Sequence, residues 1–198
     1  MAVGTGYTRK DAAAKITGEI KFLDDLSFPG MLHGKIVMSG VPHAMLKSVD
    51  FSRLDPDIIA LKAIDIPGEN AIGVMKDDQP FLAYNRIRYA YEPVALIASE
   101  NPDRLRDQAG KVKLDYEELP GIFHYESSIA SNAMNLHEHG NVGVKYKLRR
   151  GDTEAMLLQC PHRMIRHFQT QYQEQMYLEP VGAIAVPSPD SITIYGTM

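Results

Sequence analysis

Few residues in this chain have types and spacings that suit chemistry, and each has a plainer reading beside it. His137-Glu138-His139 sets two imidazoles two residues apart. In a strand that spacing puts both on one face and offers a metal ion two ligands, with Glu138 pointing away. No third ligand lies nearby in sequence, so a solvated linker accounts for the triplet equally well. Asp115, Glu117 and Glu118 offer an acid and a base, but alternation puts Asp115 and Glu117 on one face and Glu118 on the other, as on the wet edge of a strand. Cys160 is the only thiol, and Leu157, Leu158 and Pro161 around it predict a buried, inert side chain. Gly4-Thr5-Gly6 has no strand before it and no Gly-Lys-Ser after it, so it reads as a flexible arm and not a phosphate loop. Gln169, Gln171, Gln173, Glu174 and Gln175 make the approach to Pro180 unusually polar, suiting either a polar cofactor or backbone pairing at a domain seam. From residue types alone no catalytic residue and no metal ligand is assigned, and cofactor contacts stay unknown.

The elements that would position these groups are mixed. Residues 1–18 read as an extended arm, and Phe28-Pro29-Gly30 as the turn that closes the lead-in. Leu32, Gly34, Ile36 and Met38 alternate with His33, Lys35 and Val37, which predicts a half-buried strand. Short strands follow at 46–49 and 58–64, before the turn Asp65-Ile66-Pro67-Gly68. Val94-Ala95-Leu96-Ile97-Ala98 is a continuous apolar run, expected of a central strand covered on both faces. Asn101 then supplies an N-cap oxygen, Pro102 the first helical position, and Leu105, Ala109 and Val112 a helical stripe. Val112, Leu114 and Tyr116 next alternate as a strand, so 92–117 reads as a β-α-β unit whose crossover helix packs on the first strand. Tyr84, Tyr89, Tyr91 and Tyr116 serve an interface or a core with equal ease. The stretch 125–150, rich in Ser, Asn, His and Gly, reads as a linker. Beyond it, 163–168 predicts a strand, and 182–186 with 192–195 a hairpin about Pro187-Ser188-Pro189-Asp190.

The chain has 198 residues, 44% hydrophobic and 23% charged, enough for one or two modest globular domains. The net charge of -4 is spread along the chain with no basic stripe, which argues against a nucleic-acid partner. No apolar run approaches the roughly 18 residues of a membrane span, and Met1-Ala2-Val3-Gly4 lacks the opening of a signal peptide, so the expectation is a cytoplasmic protein without a membrane partner. One cysteine permits no internal disulfide and cannot hold an iron–sulfur cluster, which takes about four thiolates.

The order of particular strings adds more. Asp11, Lys15, Thr17 and Gly18 resemble the Asp-x-x-x-Lys-x-Thr-Gly entry of the large subunit of molybdenum hydroxylases, the xanthine dehydrogenase and aldehyde oxidase family. Asp25 with Pro29-Gly30-Met31-Leu32, Ser39 with Pro42-His43-Ala44, Val49-Asp50, Pro93-Val94-Ala95 and Asp115-Tyr116-Glu117-Glu118-Leu119-Pro120 resemble later strings of that subunit, in the same order. Gly151-Asp152, Gln173-Glu174 and Leu178-Glu179-Pro180 continue the series. The resemblance implies an α/β (α+β) fold: an arm over 1–18, an α/β-hammerhead domain over 19–124, a linker over 125–159, and from 160 to 198 the truncated beginning of a molybdopterin-binding domain. It implies the N-terminal fragment of an enzyme that hydroxylates a purine, another N-heterocycle or an aldehyde, with water as oxygen source. The full-length protein would carry a molybdopterin-type molybdenum cofactor and a glutamate base, while iron–sulfur clusters and FAD would reside on other chains or domains, its partners. The fragment itself is expected to bind none of them and to be non-catalytic. The family's base and most cofactor contacts lie downstream, and its glutamine near the metal either falls just past Met198, the reading favoured here, or is replaced by Met198, so no catalytic residue is carried over and Gln173 and Glu179 serve only as markers near the seam. Tyr91-Glu92 departs from the Gly-Gln often found before Pro-Val, which leaves the substrate open. Two other readings stand beside this one: a stand-alone hammerhead interaction module without catalysis, and a small metal-dependent enzyme using His137 and His139.

Overall fold

The computed structural model describes residues 3–4, 6–73 and 76–197; Thr5 of the glycine-flanked triplet and Met198 lie outside it. In chain order the helices are α1 (Ala12–Ile16), α2 (Leu105–Lys111), α3 (Tyr125–Ser128) and α4 (Thr153–Gln159). The strands are β1 (His33–Met38), β2 (Ala44–Asp50), β3 (Ile59–Lys62), β4 (Arg86–Ile87), β5 (Pro93–Ser99), β6 (Lys113–Glu118), β7 (Ala183–Ser188) and β8 (Ser191–Gly196). Backbone contacts divide the chain into two compact units: Gly30–Asp152, and the residues up to Pro29 together with those from Thr153.

Gly30–Asp152 holds two three-stranded sheets, ordered β1-β5-β3 and β4-β2-β6, with every pair antiparallel. As its apolar run predicts, β5 is central, and Val94, Ala95 and Ile97 are wholly buried. They share a core with Ala44 and Leu46 of β2, Ile87 of β4 and Leu105 of α2. Asn101 caps the helical segment by accepting the Asp103 N–H at 3.0 Å, with Pro102 opening a 3-10 turn that runs into α2. The β-α-β succession is present, but β5 and β6 lie in different sheets, so α2 is not a parallel crossover. The reason is visible in β6. Its Leu114 and Tyr116 turn inward and Lys113, Asp115 and Glu117 outward, a pattern for an antiparallel edge strand with one wet face. Ala109 of α2 packs against the core as expected.

The strand β1 is also present, with Val37 on its buried face. Val37 lies across from Ala95, on the core side of β5, whereas Ile36 lies across from Leu96 on the other side. Leu32, Ile36 and Met38 are consequently 46%, 47% and 50% exposed. Leu96 and Ala98 are themselves only half-buried, so β5 is fully covered on one face and partly open on the other.

In the second unit β7 and β8 form the expected hairpin, with Ser188 across from Ser191 and Pro189-Asp190 as its two-residue turn. The ring of Phe28 packs on Tyr195 at 5.3 Å between centroids, and the Leu23 N–H donates to Glu179 Oε1 at 3.0 Å. The strand predicted at 163–168 does not form. A strand is defined by its ladder, and among the described residues nothing pairs with this segment. No described residue of this unit is buried.

Candidate functional site

Two buried polar knots organise Gly30–Asp152, and both rest on the string Ser39-x-x-Pro42-His43-Ala44. The Ser39 N–H donates to the Glu92 carbonyl at 2.8 Å and the Tyr91 N–H to the Ser39 carbonyl at 3.1 Å, while Ser39 Oγ donates to the Tyr89 carbonyl at 3.2 Å. This double clasp holds the turn ahead of β5, and within it Tyr91 adopts a left-handed φ of 69°. Glu92 is 1% exposed; its carboxylate accepts the Arg88 N–H and lies 3.4 Å from Arg88 Nη1, and Arg88 Nε reaches on to the Leu136 carbonyl. The second knot is His43, also 1% exposed. Its Nδ1 lies 2.7 Å from the Pro120 carbonyl, and its Nε2 lies 3.0 and 2.9 Å from Arg86 Nε and Nη2. A carbonyl only accepts and a guanidinium only donates, so the proton must sit on Nδ1 and the ring is neutral. Burial, and behind it the charge of Arg88, lowers the Arg86 pKa from its ordinary value. These knots are structural: Arg88 also lines an open recess of about 340 Å³ beside Asn70, Tyr84 and Asn85, but the hydrogen bonds of both knots are made to other groups of the protein.

The groups singled out from sequence are not brought together. His137, Glu138 and His139 sit in a turn and not a strand, so the shared-face spacing does not apply. Asp78, from a loop remote in sequence, places Oδ2 3.3 Å from His137 Nδ1. That is ion-pair range, yet Nδ1 makes no hydrogen bond, so the contact attracts only when the ring is protonated. Among the described residues no three His, Cys, Asp or Glu side chains are placed to hold a metal. Asp115 and Glu117 share the wet face of β6, where Glu117 lies 3.4 Å from Lys47. Cys160 is exposed, against the expectation of burial, because the apolar residues of α4 beside it, Leu157 and Leu158, are themselves 50% and 82% exposed. Tyr84, Tyr89 and Tyr91 are surface residues and only Tyr116 packs on the core. An open cleft of about 190 Å³ beside β2 is lined by Leu46, Val49, Ala63 and Tyr84 among others. Of its two ammonium groups, Lys47 faces Glu117 and Lys62 lies 5.8 Å over the Phe51 ring. It is a shallow apolar recess and not a reaction centre.

Comparison with known proteins finds two family matches along the chain. Residues 17–120 match the model of the aldehyde oxidase and xanthine dehydrogenase a/b hammerhead domain, and residues 136–198 match that of the molybdopterin cofactor-binding domain. The chain belongs to the aldehyde oxidase and xanthine dehydrogenase family. It is 33% identical to a probable xanthine dehydrogenase subunit of Bacillus subtilis, over 94% of this chain and 26% of that protein. With the nicotinate dehydrogenase large molybdopterin subunit of Eubacterium barkeri it is 30% identical, over 93% of this chain and 44% of that one. The solved aldehyde oxidoreductase of Desulfovibrio gigas superposes with a TM-score of 0.85 at 27% identity, over 98% of this chain and 23% of that one. The chain thus spans from about a quarter to under half of these relatives.

Enzymes of the xanthine dehydrogenase and aldehyde oxidase type are molybdenum-dependent oxidoreductases, and the residues here can be tested for fit to their cofactor. Gln169, Gln171, Gln173 and Gln175 have the mixed donor and acceptor character a pterin needs. All four lie on an exposed stretch without secondary structure. Glu179 is already committed to the Leu23 N–H. These residues form no enclosed cradle, so they do not of themselves fit the group, and no chemical step is derived through it.

Proposed function

We propose that this chain is the N-terminal part of the molybdenum-cofactor subunit of a xanthine dehydrogenase or aldehyde oxidase-type hydroxylase. The whole enzyme would hydroxylate a purine, another N-heterocycle or an aldehyde with oxygen from water, passing electrons to iron–sulfur and flavin subunits or domains. The observation that carries this reading is the tandem of the two family matches, in order and across nearly the whole chain. Boundaries at 1–18, 19–124, 125–159 and 160–198 belong to the same proposal, as does a cytoplasmic location. Among the described residues no helix is long and apolar enough to cross a membrane.

The role of this part is scaffolding: a hammerhead domain held by the Ser39 and His43 knots, leading into the first strands of the cofactor domain. Elemental analysis tests the reading. The purified 198-residue chain should carry no stoichiometric molybdenum and show no hydroxylase activity, whereas the complete subunit, expressed with its cofactor machinery, should carry about one molybdenum per chain. Stoichiometric metal on the short chain would overturn the assignment of the cofactor contacts to other residues. A complete subunit without molybdenum would favour the interaction-module reading.

A further inference from the structure

The sheet β1-β5-β3 has one face turned to the core and one that is not. On the outer face Ile36, Leu96 and Leu61 stand in one row across the three strands, and Gly34, Ala98 and Ile59 in the next. Ile36, Leu61 and Ile59 are 47%, 41% and 48% exposed. None of these six residues is charged or polar, whereas an antiparallel sheet with a solvated face carries polar residues there. We propose that this face is a docking surface, and that its occupant is an apolar segment of the remaining polypeptide of the same subunit, packed as a helix.

Size selects that occupant. Three strands about 4.8 Å apart and two to three apolar rows long give a footprint on the order of 200 Å², well short of the roughly 800 Å² per partner that a stable interface between separate molecules buries. A second copy or a separate subunit seated here alone would dissociate, but a covalently linked segment meets the face at high effective concentration. The width matches one α-helix, about 10 Å across. Absence of charge points the same way, since permanently buried contacts are the more apolar ones. The relative from Bacillus subtilis has the polypeptide to supply such a segment, since this chain spans 26% of it. The inference rests on the proposed function, because it requires that a longer subunit exist.

A cysteine at the face reads it directly. Ile36→Cys, in a Cys160→Ser background for the short chain, is treated with a polar maleimide and the modified peptide followed by mass spectrometry, in the 198-residue chain and in the complete subunit. We expect rapid labelling in the short chain and labelling at least about tenfold slower in the complete subunit. Leu61→Lys should leave the melting of the short chain nearly unchanged and sharply lower the soluble yield of the complete subunit. Equal labelling rates in a molybdenum-loaded complete subunit overturn the docking face and leave the family reading intact. Slow labelling in a short chain that sediments as a dimer makes a second copy the occupant and overturns it too. A gene that ends after Met198 sinks both the docking face and the reading on which it rests.

Discussion

Tyr91 occupies the left-handed region at φ 69°, where its Cβ crowds the backbone, while its ring is 71% exposed and contributes little packing. The conformation is imposed from outside, by the clasp of Ser39 on Tyr91 and Glu92. Only glycine enters this region without a steric cost of roughly 1–2 kcal/mol. Tyr91→Gly should therefore stabilise the chain by about 0.5–1 kcal/mol once the greater freedom of the unfolded glycine is set against the relief. Tyr91→Ala keeps the Cβ and should give no such gain. Urea melts of the two variants separate the effects, and equal behaviour would mean that the strain is not at this residue. Asp55 gives a second test. It accepts from Lys111 Nζ, Arg104 Nη2 and Gln108 Nε2, each at 2.7 Å, and the first two of these partners lower its pKa from 3.8 to about 2. A carboxylate whose folded pKa is depressed stabilises the fold above the unfolded value and loses that contribution as pH falls through the folded one. The loss belongs between about pH 4 and pH 2. Asp55→Asn should lower the melting midpoint at neutral pH and flatten its fall across that window. Added salt should shrink the difference, because the site is partly exposed.

At the scale of elements the test is β5, the centre of its sheet. Ile97 is wholly buried between Lys35 and Ala60 of the flanking strands, so Ile97→Ala should cost about 2–5 kcal/mol. Leu96, one residue away on the partly open face, should cost under about 2 kcal/mol when changed to Ala, and Lys113 at the edge within about 0.5 kcal/mol. Denaturant melts giving equal losses at 96 and 97 would show that both faces of β5 are closed. This contrast also marks how far the sequence was legible. The run Val94–Ala98, the Asn101 cap and the hairpin of β7 and β8 were readable because each is decided within a few residues. The separation of β5 from β6, and the choice of Val37 over Ile36 as the buried side of β1, are decided by pairing between strands distant in the chain, which periodicity does not report. The predicted strand at 163–168 failed for the same reason, since its composition suits a ladder with no partner among the described residues. The buried knots were half legible. Ser39 and His43 belonged to a recognised string, but nothing local linked His43 to Arg86 or to Pro120, 43 and 77 residues away.

At the scale of the molecule the two units differ in kind, and this sets where the chain opens first. Among the described residues, Gly30–Asp152 contains all of the buried side chains and both three-stranded sheets. In the other unit the stretch between α4 and β7 carries Phe168, Tyr172 and Tyr177 at 89%, 100% and 75% exposure, on backbone with no ladder. Tyr84 and Tyr91, at 64% and 71%, are nearly as exposed, but they flank segments clasped by hydrogen bonds from Tyr91 to Ser39, from Ser39 to Glu92 and from Leu46 to Asn85. A protease needs several residues of free backbone and not merely an accessible side chain, so local backbone bonding and not ring exposure should govern cleavage. Brief chymotrypsin treatment should therefore cut after Phe168, Tyr172 or Tyr177 well before Tyr84, Tyr89 or Tyr91, leaving a resistant core that contains β1 through β6. Mass spectrometry of the first fragments decides it. Early cuts between 84 and 91 would mean that the Ser39 clasp opens readily, and the hammerhead unit would then not be the stable half of the chain.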